Sequence, residues 1–132
     1  MKAPSIVMPA FTNLTVAITG ASGYLASALV HSLRTEPCVL LRLTRPGRTL
    51  PPVAGAARVH HMTADIADPA TWPPLVLRAD VIFHLAAQTS VYRAEQDAAD
   101  DARINVMPLL HLLEACRRTG RRPRVVLAGT VT

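Results

Sequence analysis

The stretch most able to do chemistry is TGASGYLA, at positions 19–26. Gly20 lets the backbone turn tightly as it leaves an apolar run, and Gly23 lacks the Cβ that would hold a phosphate away from the main chain. Ala26 is small enough for the segment that follows to lie close against its neighbours. If that segment is a helix, its first N–H groups and the positive end of its dipole face the turn, and a pyrophosphate binds there. An ordinary strand-to-helix turn has no need of two glycines at this spacing. The motif points to a nucleotide phosphate.

Other reactive residues fit their chemistries less well. Ser22 precedes Gly23 directly, so it does not match the G-x-S-x-G elbow of a hydrolase nucleophile. His60 and His61 are adjacent on an extended segment and point to opposite faces, which does not suit one metal. His84 lies in an apolar strand and reads as a packed, hydrogen-bonded side chain rather than a base. Cys38 and Cys116 are far apart and outside any ligand spacing, as expected of small core residues in a reduced, cytoplasmic protein. No metal site is expected.

Strand and helix patterns alternate around the glycine turn. LTVAIT (14–19) reads as a buried strand, and CVLLRLTR (38–45), a run within 57–66, VIFHLAA (81–87) and RVVLAG (124–129) read as four more strands. Helical periodicity follows the glycine turn. DPATWPPLV gives a short, proline-interrupted helix, and a long helix is expected over 95–118 with a kink at Pro108 and a stop at Gly120. Asp97, Asp100 and Asp101 open that helix as dipole-complementing caps. Such alternation specifies an α/β fold, a doubly wound parallel sheet of five strands ordered 3-2-1-4-5.

The chain has 132 residues, of which 50% are apolar and only 4% aromatic. That is enough for one domain with an aliphatic core of the kind that lines helix-covered parallel sheets. Positions 1–13 read as a flexible leader and 14–132 as the domain. The leader has neither the apolar core of a signal peptide nor that of an anchor, and no run approaches the roughly 20 residues of a membrane span. The net charge of +5 includes a cluster at Arg117, Arg118, Arg121, Arg122 and Arg124. A basic interaction domain could use that cluster, but the near absence of stacking aromatics argues against nucleic acid.

In order along the chain, GxxGxxA at 20–26, ADIAD at 64–68, DVIFHLAAQ at 80–88, Asn105, LLEACRRTG at 112–120 and VVLAGT at 125–130 resemble the extended short-chain dehydrogenases, a Rossmann family. HLAAQ is similar to the sugar-nucleotide epimerases and dehydratases. The resemblance covers 14–132 and implies an N-terminal NAD(P)-binding portion that serves hydride transfer between a nicotinamide and a sugar carbon. It implies that Gly20, Ser22, Gly23, Tyr24 and Leu25 hold the pyrophosphate. Asp65 and Ile66 would bracket the adenine, and Leu85, Ala86 and Ala87 would line the nicotinamide-side ribose. Asn105 would bond backbone and water behind the active site, and Thr130 would be the catalytic hydroxyl. Asp65 can instead cap a helix, and Asn105 can instead pin the kink before Pro108.

Two departures from the family pattern matter. Where NAD-preferring members carry an acid, this chain has Thr44 followed by Arg45, and Arg48 soon after. A hydroxyl and a guanidinium suit a 2′-phosphate, so NADP is favoured with NAD possible, although Arg45 can also be a solvated strand-end charge. The family also needs Tyr and Lys four residues apart, whereas this chain holds only Tyr24, Tyr92 and Lys2. The chain is therefore expected to be truncated before the catalytic pair and inactive alone. The alternative is a non-catalytic dinucleotide-binding module. The expected partners are a nucleotide sugar in the complete enzyme and a second copy, in a homodimer through helix 95–118, where Leu109, Leu110, Leu112 and Leu113 exceed one sheet-facing stripe.

Overall fold

The computed structural model describes residues 11–129, so most of the expected leader and Thr130 lie outside the described residues. Strand β1 (Thr15–Thr19) sits at the centre of the sheet, pairing with β2 (Val39–Thr44) on one side and β4 (Val81–His84) on the other. The edges are β3 (Arg58–Thr63) and β5 (Arg124–Leu127), all pairs are parallel, and the order is β3-β2-β1-β4-β5. This is the expected doubly wound arrangement.

Alternation within each strand assigns the two faces. Val16, Ile18, Leu40 and Val81 pack with Ala26, Val30 and Leu33 of α1 (Tyr24–Leu33). Ala17, Leu41, Leu43 and Ile82 pack on the other face with α2 (Trp72–Arg78) and with Leu112 and Ala115 of α5 (Met107–Thr119). Both faces of the central strands are thus removed from water, which is why β1, β2 and β4 read as nearly continuous apolar runs. The short helix foreseen at DPATWPPLV is a 3-10 turn (Pro69–Thr71) capped by Asp68, running into α2 with its prolines in the first turn.

The long helix expected over 95–118 is three helices: α3 (Val91–Gln96), α4 (Ala98–Asn105) and α5. Asp97 breaks the first junction. Its backbone leaves the helical region (φ −145°, ψ 85°) while its carboxylate accepts from the Asp100 amide at 2.9 Å. The capping role assigned to Asp97 is correct, but a cap starts a new helix. The second junction is at Val106, two residues before Pro108, whose ring cannot sit against the carbonyl four residues back. The fourth strand also stops at His84, so 85–87 follow it as irregular chain.

Candidate functional site

The C-terminal ends of β1, β2 and β4 and the chain that follows them surround a cavity of about 610 Å3, a size typical of small-molecule sites. Gly20, Ser22, Gly23, Thr44, Arg45, Asp65, Ile66, Leu85, Ala86 and Ala87 all line it. Ten of the positions singled out in the sequence are therefore brought to one place. Tyr24 and Leu25 do not line it, and their side chains are exposed. Asn105 stands behind it, and Thr130 is outside the described residues.

The glycine turn is shaped by a close approach. Gly20 has φ +65°, and a Cβ there would lie 2.8 Å from the Cα and N of Ala86. The same contact is held by the Thr19 hydroxyl, which accepts from the Leu85 and Ala86 amides at 3.1 Å each. It lies 2.8 Å from His84 Nδ1. An oxygen already accepting two N–H groups gives its proton to Nδ1, so His84 carries its own proton on Nε2. Burial pushes the His84 pKa below its ordinary value, and the ring meets Trp72 edge-on at 5.4 Å. The imidazole is a neutral acceptor locking the turn to the end of β4, in keeping with its reading as a packed side chain.

Helix α1 begins without a side-chain cap and without an acid in its first turn. Its first helical bond is Ser27 N to Gly23 O at 3.0 Å, so the amides of Tyr24, Leu25 and Ala26 precede the ladder. Among the described residues none of the three has a partner. The amides of Tyr24 and Leu25 are thus free main-chain donors next to Gly23, which lines the cavity, while their side chains are exposed. A Cβ on Gly23 would come within 3.2 Å of Gly20 O, so this glycine tightens the turn as well as clearing space before it.

The adenine-side candidates divide. The Thr44 hydroxyl is 2.9 Å from His61 Nε2, so it is already engaged on the α1 side of the sheet, and Arg45 is exposed. One Asp65 oxygen accepts from the Ala67 amide at 2.9 Å and the other has no partner among the described residues. The helix cap here is Asp68, not Asp65. Asn105 clamps the Gln88 backbone, accepting from its amide at 2.8 Å and donating to its carbonyl at 3.0 Å. It also donates to Asp101 at 3.0 Å, immediately before the break at Val106, which joins the two roles considered for it.

Arg93 and Arg103 also line the cavity, and neither was foreseen. Both hold Asp100, Arg103 at 2.8 Å and Arg93 at 3.2 Å. The Arg103 hydrogen bonds, and then the charge of both guanidiniums, keep the Asp100 carboxyl below the usual carboxylate range. The signal in the sequence was an Arg on each side of one acid. These pairs are solvent-exposed and contribute little to stability.

The family model for NAD dependent epimerase/dehydratase proteins matches residues 16–132. The chain belongs to that family. It is 33% identical over 127 residues to D-erythronate dehydrogenase of Cupriavidus necator, a match covering 89% of this chain and 39% of that protein. It is 36% identical over 110 residues to UDP-glucose 4-epimerase of Mycolicibacterium smegmatis, covering 80% and 35%. The solved nucleoside-diphosphate-sugar epimerase from Agrobacterium tumefaciens superposes with a TM-score of 0.70 at 29% identity, over 92% of this chain and 39% of that one. The chain thus spans well under half the length of these epimerase/dehydratase relatives.

A dinucleotide of the kind the family name implies fits the residues present. The unpartnered amides at the start of α1, next to the lining residue Gly23, are donors that a phosphate accepts from, and the free oxygen of Asp65 is an acceptor on the cavity wall. The basic cluster in the last turn of α5 and just beyond it is largely engaged elsewhere. Arg117 and Arg118 both bond Glu114, whose carboxyl their hydrogen bonds pull down to about 2, and Arg121 donates to Ala79 O and stands 3.6 Å from Asp80. On α5, Leu112 is buried while Leu110 and Leu113 are 50% and 55% exposed. Among the described residues no helix is long and apolar enough to cross a membrane.

Proposed function

We propose that this chain is the dinucleotide-binding part of a cytoplasmic oxidoreductase that prefers NADP, accepts NAD, and acts on a nucleotide sugar by epimerisation, dehydration or reduction. The observation that carries the reading is the uncapped start of α1, whose amides at 24–26 have no partner among the described residues and directly follow the lining residue Gly23. In this reading those amides hold the pyrophosphate, and the free Asp65 oxygen accepts from the adenine amino group with Ile66 against the ring. The backbone at 85–87 lines the second ribose, and Asn105 keeps it in place through Gln88. Arg45, exposed at the end of β2 where no acid stands, pairs with the 2′-phosphate. The bound nicotinamide would exchange a hydride with a sugar carbon, and the hydroxyl of Thr130 would bond the reacting sugar oxygen.

Proton transfer in such chemistry needs a residue these 132 positions do not supply, since Tyr24 and Tyr92 are their only tyrosines and Lys2 their only lysine. The chain should bind NADPH saturably in a fluorescence titration and show no steady-state turnover of a nucleotide sugar. Absence of binding to either NADPH or NADH, or turnover by this chain, would overturn the reading. A dinucleotide-binding module with no chemistry of its own is the second reading, favoured by the same lack of a Tyr-x-x-x-Lys. We assign the exposed face of α5, with Leu110 and Leu113, to pairing with a second copy of the chain.

A further inference from the structure

Strand β2 reads VLLRLT, and the arginine in its middle does not belong to an apolar run. Arg42 faces the α1 side of the sheet and is only 8% exposed. Among the described residues it has no carboxylate partner, and its one hydrogen bond runs from Nη1 to the Pro51 carbonyl at 3.0 Å. Nε is fully enclosed and unpartnered. A buried guanidinium without a counter-charge is costly, and a hydrocarbon side chain would fill a mid-strand position better. Holding one loop carbonyl does not explain a full positive charge there.

The guanidinium lines a cavity of about 310 Å3 between α1 and the segment 46–57, on the opposite side of the glycine turn from the cleft described above. His31 and Arg34 also line it, and no acidic residue does. The segment is pinned to α1 just beyond the cavity wall. Gly55, at φ +153°, packs so closely on the end of α1 that a Cβ would collide with the Arg34 carbonyl oxygen, and Ala57 N donates to that same oxygen at 3.0 Å. Pro51 and Pro52 stiffen the segment that Arg42 holds.

We propose that this cavity is a binding site for a phosphate group, with Arg42 as its principal cation. Among the described residues Nη2 makes no bond and, unlike Nε, is not enclosed, so it is the donor that takes an oxyanion by a charge-assisted hydrogen bond, with the unpartnered Nε beside it. Arg34 adds positive charge at the wall. The proposal does not rest on the dinucleotide reading. The phosphate has two sources: a free phosphate compound, or the 2′-phosphate of a cofactor lying across the turn at Ala21, which lines this cavity, in place of the Arg45 pairing read above.

The test is an amide-resolved NMR titration of the chain with inorganic phosphate, against chloride at matched ionic strength. Saturable shifts are expected at Val30, His31, Val53 and Ala54, with affinity weakened at least about tenfold in Arg42→Met, as for the loss of a charged hydrogen bond. Arg42→Met should fold, because it removes an uncompensated buried charge. Ala54→Trp, a change at an exposed lining residue, should block the site with Arg42 intact. NADP reproducing these shifts where NAD does not assigns the phosphate to the cofactor. Phosphate acting alone, with neither cofactor touching these amides, assigns it to a free compound. Shifts confined to Gly23–Leu25, no saturation, or equal affinity in both variants would overturn the site.

Discussion

At the end of the sheet where the strands begin, Asp80 joins three strands. Its Oδ2 accepts from the Thr15 amide at 2.8 Å, its own amide donates to Thr15 O, its carbonyl accepts from Arg124, and Arg121 stands beside its carboxylate. At the other end the amides at 24–26 and one Asp65 oxygen meet no protein group among the described residues. The two ends are made of the same strands and differ in what their polar groups are for. Groups satisfied by protein fix the register, whereas groups left open at the edge of a cavity are directed at something else. Thr19 stands between these cases, since its bonds are all internal and yet all serve the open end.

The comparison breaks most sharply at Gly20. Gly20→Val would put a branched side chain at positive φ against the Ala86 backbone. Dinucleotide affinity should fall more than a hundredfold by titration, with a lowered Tm. A folded variant binding as the parent does would move the phosphate site elsewhere. Thr19→Val comes next. It leaves two amides and His84 Nδ1 without their partner, a loss of on the order of 3 kcal/mol in urea denaturation. Unchanged stability would show that the turn is held without the hydroxyl.

Arg45→Ala tests the open end alone. It should weaken NADP by about 1.5–3 kcal/mol, leave NAD nearly unchanged, and spare stability. Equal effects on both cofactors would return Arg45 to the solvent. The smallest effect is one of pH. Burial depresses the His84 pKa from 6.5, so the unfolded chain takes up a proton that the folded chain does not. Stability should therefore decline as pH drops below 6.5 and level off beneath the folded value. His84→Leu should flatten that part of the urea-midpoint profile, and a profile unchanged by the substitution would place the titration on another group.

The sheet and the glycine turn were legible because each rests on local chemistry. Apolar runs mark β1, β2 and β4, and two glycines at a fixed spacing mark the turn. The helical region from 91 to 119 was misread because periodicity counts apolar positions and is blind to competition for the backbone. Asp97 can continue a helix or cap a new one, and here its carboxylate takes the Asp100 amide and starts a new helix. Arg42 was passed over for a related reason. It was read as one cation in a basic total, and whether a cation matters depends on what lies opposite it across a loop. The pairing of Thr44 with His61 likewise needs the register of β2 on β3, which no single strand contains.

Because β1 is both the first strand and the central one, the order in which the chain leaves the ribosome has a consequence. The β1–β2–β3 half draws only on residues up to 63 and can assemble early from nearby segments. The β4 half must wait, since Thr15 meets Asp80 and Thr19 meets His84 across 65 residues each, and contacts at that separation form late. The Gly20 turn is thus synthesised long before the Ala86 backbone that gives it shape. A nascent chain would acquire its fold's nucleus before its pocket, and ligand present during synthesis could stabilise only the final docking step.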